Sequence, residues 1–145
     1  MGWLEPIYVA ETDDQARREY EEHFFYFVKR LLPGINVSPP GYTTLRSYES
    51  MLKGFNTFAI NLETWDQVVE GQYAIVGSPD TVFERLVENL HRLGTGNLLG
   101  LFQLGTLPGG LTRRSLDLFA REVMPRLRKE FPEGARVLRE QAAVA

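Results

Sequence analysis

An α/β fold is predicted for this 145-residue chain by three observations: short β-prone runs recur, each leads into a helical stretch with an apolar stripe, and the turn between them carries helix-capping residues. Hydrophobic residues make up 43% and charged residues 24% of the chain, a composition that buries a core and argues against disorder. The length fits one domain spanning 1–145.

The first unit opens with Ile7–Ala10, a β-prone run after Pro6. Thr12 then reads as an N-cap, with Gln15 completing a capping box and Asp13 and Asp14 in the first turn. Ala16, Tyr20, Phe24, Phe27, Val28 and Leu31 recur at helical spacing, and Pro33-Gly34 ends the helix. Residues 34–63 read as an irregular insertion, with a short helix over Thr43–Leu52 and an extended stretch over Asn56–Leu62. Thr64–Gly71 adds a helical turn or two.

The second unit is Tyr73–Val76, ending at Gly77, with Ser78 as N-cap, Pro79 at the first helical position and Asp80 in the first turn. Phe83, Leu86, Val87 and Leu90 give the inward stripe, and Gly94 the stop. In the third unit, Leu98–Phe102 reads as a strand buried on both faces. After the loop Gln103–Gly110, the last helix turns Leu116, Phe119, Ala120, Val123 and Leu127 inward, and Pro125 kinks or ends it near Glu122. The tail 133–145 reads as a fraying helix. Alternating strands and helices with tight turns predict a parallel sheet with right-handed crossovers.

Several function classes lack support. Net charge is −3, and basic residues are interleaved with acidic ones (Arg17, Arg18, Glu19, Glu21, Glu22), so no nucleic-acid partner is expected. The absence of cysteine removes thiolate chemistry and cysteine-based metal sites. No metal site and no membrane partner are expected, and a cytoplasmic location is the default, since no signal peptide and no apolar run of about 20 residues is read. Nucleotide-binding glycine motifs, His-Glu-x-x-His and Gly-x-Ser-x-Gly are absent.

The wording at Ile75–Val82 (Ile-Val-Gly-Ser-Pro-Asp-Thr-Val) and at Asn97–Leu127, with Asn97–Gly105, Ser115–Ala120 and Glu122–Pro125, resembles the luciferase-like, flavin-dependent monooxygenases. Tyr8–Thr12 with Ala16 resembles that family's sixth strand and following helix. The resemblance implies a partial (β/α)8 TIM-type barrel: about three C-terminal βα units, with a helical insertion after the first. It also implies FMN as cofactor and oxidation of a small organic substrate. A full barrel needs about 250 residues, so the chain is expected to be a truncated or separate C-terminal part, not catalytically complete alone.

Barrel chemistry sits at the C-terminal ends of strands, which nominates Gly77, Ser78, Phe102, Gln103, Gly105 and Thr106 as cofactor-binding residues. Gly77-Ser78 offers backbone N–H groups at a helix start to an anion such as the flavin phosphate, although N-capping accounts for these residues without a ligand. Gln103 would meet a flavin ring edge and Phe102 would wall the pocket, while Gly105, Gly109 and Gly110 would let the loop close; an ordinary connection explains them equally. No catalytic residue is assigned. His23 and His91 fall inside helices, and Trp3 and Trp65 read as packing residues. Three parallel strands leave two sheet edges, so a homodimer or a missing N-terminal barrel portion is the expected partner. The alternative function is a non-catalytic assembly module that pairs through those edges with itself or a partner chain.

Overall fold

The computed structural model describes residues 2–32 and 62–132; the expected helix over Thr43–Leu52 and the tail 133–145 lie outside the described residues. Strand β1 (Gly2–Val9) leads into helix α1 (Asp13–Tyr26), which continues as a π-helical segment, Phe27–Leu31. Helix α2 (Trp65–Glu70) precedes strand β2 (Ile75–Gly77) and helix α3 (Pro79–Leu93). Strand β3 (Asn97–Leu101) is followed by α4 (Gly109–Leu118), a π-helical segment Phe119–Val123, and α5 (Met124–Glu130).

The capping chemistry is largely as read. Thr12 accepts the Gln15 N–H at 3.2 Å, but the Gln15 side chain turns to Glu19, leaving half a capping box. The complete box lies at Thr64–Gln67, where each side chain satisfies the other residue's backbone. Ser78 caps α3, and Gly94 ends it with φ +58°, a left-handed turn that glycine adopts without strain. Pro125 has no N–H to donate back along the helix, and the wider π turns just before it absorb that gap so that the helix carries on.

All three strands are parallel, in the order β2-β1-β3. β3 pairs with the first part of β1 (Gly2↔Asn97 to Pro6↔Leu101), whereas β2 pairs with its last part (Ile7↔Ile75 to Val9↔Gly77). β1 is therefore longer than Ile7–Ala10, because its first five residues have a partner 95 positions away. Consecutive barrel units would lie side by side in chain order; here β1 lies between β2 and β3.

This order fixes the layers. The step from β1 to β2 runs one way across the sheet and the step from β2 to β3 runs back, so crossovers of one hand place their helices on opposite faces. On the first face Tyr8, Ala10, Ala74 and Val76 meet Ala16, Tyr20, Phe24 and Val28 of the first helix and Trp65 and Val68 of α2. On the second, Ile7, Val9 and Ile75 meet Val82, Leu86, Leu118 and Val123. Aromatic contacts stiffen the first cluster: Tyr8 stacks on Tyr20 at 5.1 Å, and Trp65 stands edge-on to Tyr20 and Phe24.

Two burial expectations need correcting. The last helix buries Thr112, Ser115, Leu118 and Val123, while Leu116 is exposed, because the Ser115 hydroxyl is used inside the fold. β3 is covered on one face only. Leu98 packs on the second cluster, but Leu99 is 52% exposed and its neighbour across the ladder, Leu4, 61%. Helices α1 and α2 cover the first face only towards the C-terminal ends of the strands.

Candidate functional site

At the C-terminal edge of the sheet, β1 exits to α1 on the first face; the loop after β3 also returns to that face, where Leu104 and Leu107 join the first cluster and Leu111 of α4 packs on it, while Leu118 further along α4 joins the second. Open α/β sheets bind ligands in the crevice outside the carboxyl ends of their strands, and here that crevice lies between α1 and α4. The chain fills this crevice with its own side chains. The Val9 N–H, beyond the last β3 partner, donates to Ser115 Oγ at 2.8 Å. Across the opening, Glu19 of α1 accepts from the Tyr8 hydroxyl at 2.7 Å, from Gln15 Nε2 at 3.0 Å and from Arg114 Nη2 of α4.

The electrostatics follow from these bonds. Burial acts to raise the Glu19 carboxyl, but the donors Arg114, Gln15 and Tyr8 outweigh it and hold the group below its ordinary value. Burial and then the bond to Glu19 push the Tyr8 phenol up, so Tyr8 stays a neutral donor. The bond to Glu19 raises the Arg114 guanidinium further. Among the described residues the arrangement is a charge-assisted clamp between two helices, and it holds the three donors on one carboxylate.

The six nominated residues fall on this same edge but do not converge on one opening. Gly77 is buried, and a Cβ there would come within 2.6 Å of Asp13 Oδ1. Asp13 takes the Ser78 N–H at 2.6 Å and the Thr81 hydroxyl at 3.0 Å, so the start of α3 already faces an anion from α1. Burial opposes ionisation of Asp13, and the bonds from Ser78 and Thr81 overcome it, leaving the carboxyl below its ordinary value. Phe102 packs edge-on against Phe119 at 5.0 Å, on the second cluster. Gln103 donates to the Leu107 carbonyl at 3.0 Å and accepts from the Thr112 hydroxyl at 2.5 Å, folding its loop on itself. Thr106 meets His23 Nδ1 at 2.8 Å, and Gly105, with φ +55°, comes so near the helix that a Cβ would lie 3.0 Å from the His23 carbonyl oxygen.

The sequence reading nominated none of Tyr8, Gln15, Glu19, Arg114 and Ser115 as a site residue, giving Gln15 only a capping role. Gln15 and Glu19 are spaced i, i+4 on one helix face, a visible signal. Arg114 and Ser115 lie about a hundred positions from their partners, and only the fold joins them. Among the described residues no group of three or more His, Cys, Asp or Glu could hold a metal ion, and no helix is long and apolar enough to cross a membrane.

No known family profile and no curated protein matches the chain. Its fold is similar to part of two solved structures. One is the oxygenating constituent of 3,6-diketocamphane monooxygenase from the CAM plasmid of Pseudomonas putida, a type II Baeyer–Villiger monooxygenase solved in complex with FMN. The match has a TM-score of 0.54 and 23% identity, and covers 86% of this chain and 33% of that one. The other is the monooxygenase RslO1 from Streptomyces bottropensis, with a TM-score of 0.55 and 20% identity over 87% of this chain and 30% of that one. The likeness is one of fold, and the chain spans about a third of the length of each structure.

Proposed function

We infer that this chain forms one wall of a flavin-dependent monooxygenase fold, with flavin and a small organic substrate as ligands of the assembled fold, and that it does not hold a complete flavin site by itself. The observation that carries the reading is that the strand-end donor groups are already satisfied by Asp13 and Glu19 of the same chain, in a fold matching a third of two monooxygenases.

FMN, when bound in such a protein, supplies the oxygen chemistry, and the protein supplies orientation, hydrogen bonds and exclusion of water. A flavin phosphate does not fit the turn at Gly77-Ser78 as it stands, since it would bring negative charge against the Asp13 carboxylate at the N–H it needs. The amide of Gln103 and the hydroxyl of Thr106 have partners inside the chain. The residues of this chain therefore act as scaffold: Glu19 and Arg114 clamp α1 to α4, and Ser115 closes the end of β1.

Titrating the purified chain into FMN and following flavin fluorescence tests this reading. No saturable quenching is expected. One-to-one quenching that weakens in Gln103→Ala would overturn the scaffold reading and assign the flavin to these strand ends.

A further inference from the structure

The two halves of β1 are held differently. Among the described residues Ile7–Val9 has β2 as a neighbour, whereas Gly2–Pro6 pairs with β3 alone. The sheet therefore narrows at its N-terminal end to a ribbon of two strands, Gly2–Pro6 with Asn97–Leu101, and two strands alone are marginal in water. Leu4 and Leu99 leave one face of the ribbon bare. Strand alternation turns Trp3, Glu5 and Leu98 to the other face, where Trp3 and Leu98 reach only the partly buried margin of the second cluster. No ribbon residue belongs to the buried part of either cluster. Pro6, where the ribbon joins the wider sheet, has no N–H to give to a neighbour.

Glu5 is the one ribbon residue that is buried, so the position that closes the ribbon is a carboxyl group. Its Oε1 has no partner, and the one side-chain bond acting on the group comes from Trp3. The helices over this face line it with Val82, Leu86, Leu118, Val123 and Leu127. Their charged groups are turned elsewhere. On α3, Arg85 acts on Asp13, and Glu84 and Glu88 are exposed. In the π-helical segment Arg121 and Glu122 are exposed; on α5, Arg126 pairs with Asp80, and Arg128 and Lys129 are exposed. The buried Tyr20 phenol of α1 is the titratable group that a charge on Glu5 reaches, and it offers no cation.

We propose that the ribbon is a hinged flap closed by the Glu5 proton: losing that proton lifts Gly2–Pro6 and Asn97–Leu101 off the second cluster, pivoting beside Pro6, while Ile7–Val9 stays paired with β2. A neutral carboxyl tolerates the apolar layer, but a carboxylate there would have one donor and no cation. Opening hydrates it and gives up only the half-buried contacts of Trp3 and Leu98, far less than unfolding both clusters. The flap belongs to the chain by itself and does not rest on the flavin reading.

Hydrogen exchange of the unaltered chain from pH 6 to 9, corrected for intrinsic base catalysis and repeated in low denaturant, tests the flap. Ribbon amides should exchange faster than those of Ile7–Val9 and α3, and with little response to denaturant, since little surface is uncovered. Their opening should rise about tenfold per pH unit and level off above about 8, because opening releases the proton that burial holds on the Glu5 carboxyl up to about 8. Glu5→Gln should keep the ribbon closed and remove the pH dependence. Ribbon amides that exchange in step with Ile7–Val9, at the same rate and denaturant response, would overturn the proposal, because the chain then opens only as a whole. So would ribbon opening that ignores pH, or a pH dependence that persists in Glu5→Gln.

Discussion

The two ends of the sheet handle buried carboxyl groups in opposite ways. At the C-terminal end, Glu19 gathers three donors and is held in its charged form. Towards the N-terminal end, Glu5 is only 5% exposed, its Oε1 has no hydrogen-bond partner, and burial pushes its carboxyl up to about 8 against a weak opposing bond from Trp3. The same functional group locks one end and loads the other. Burial alone does not determine which; the number of donors does.

The largest expected effect that sharpens this contrast is on Glu5. An unfolded chain releases this proton near pH 4.5 and the folded chain keeps it to about pH 8. Between those values stability falls as pH rises, by about 1.4 kcal/mol per unit, because only the unfolded state gains from ionisation. Glu5→Gln removes the titrating group, so denaturant unfolding across pH 5–9 should show a flatter profile and a more stable protein at the alkaline end. An unchanged slope would remove the contrast.

Next comes Glu19→Ala, which leaves the buried Tyr8 hydroxyl and the Arg114 guanidinium without their acceptor. Both ions are partly exposed, so the expected cost is about 2 kcal/mol rather than that of a deeply buried pair, read from the shift in unfolding midpoint. Ser115→Ala leaves the buried Val9 N–H unpaired and should cost about 1–2 kcal/mol by the same measurement. Asp13→Asn removes the negative charge at the start of α3 while leaving an acceptor oxygen, for about 1 kcal/mol. Because the Asp13 carboxyl is held below its unfolded value of 3.8, its contribution is complete above that pH and disappears as pH falls through the lower folded value; acid titration of the variant should lack that component. The smallest effect is at Leu99→Ser, expected within about 0.5 kcal/mol for a dilute sample, since the side chain contacts neither core.

The local parts of the fold were legible in the sequence. The caps at Thr12 and Ser78, the stop at Gly94 and the stripe Ala16, Tyr20, Phe24, Val28 depend on residues within a turn or two of one another, and spacing reveals them. Strand order did not show, because nothing near Gly2–Pro6 signals a partner at Asn97–Leu101. Nor did the one-sided cover of β3: an apolar run reads as buried on both faces, whichever helices eventually pack on it. At the strand ends the local reading assigned Asp13 only to its own helix, whereas its carboxylate also accepts the Ser78 N–H at the start of α3. The buried Ser115 was missed for a related reason, since a hydroxyl at a core position makes sense only once the Val9 amide lies beside it.

The way β1 is shared between its neighbours also has a kinetic consequence. Among the described residues every strand pairing involves β1, with partners about 70 residues away in β2 and 95 away in β3. Closing such loops costs entropy before any pairing repays it, which slows folding relative to a helical protein of the same length. During synthesis α1 depends only on residues close to it in the chain, whereas the β1 pairings with β2 and β3 cannot form until Ile75 and then Asn97 have left the ribosome.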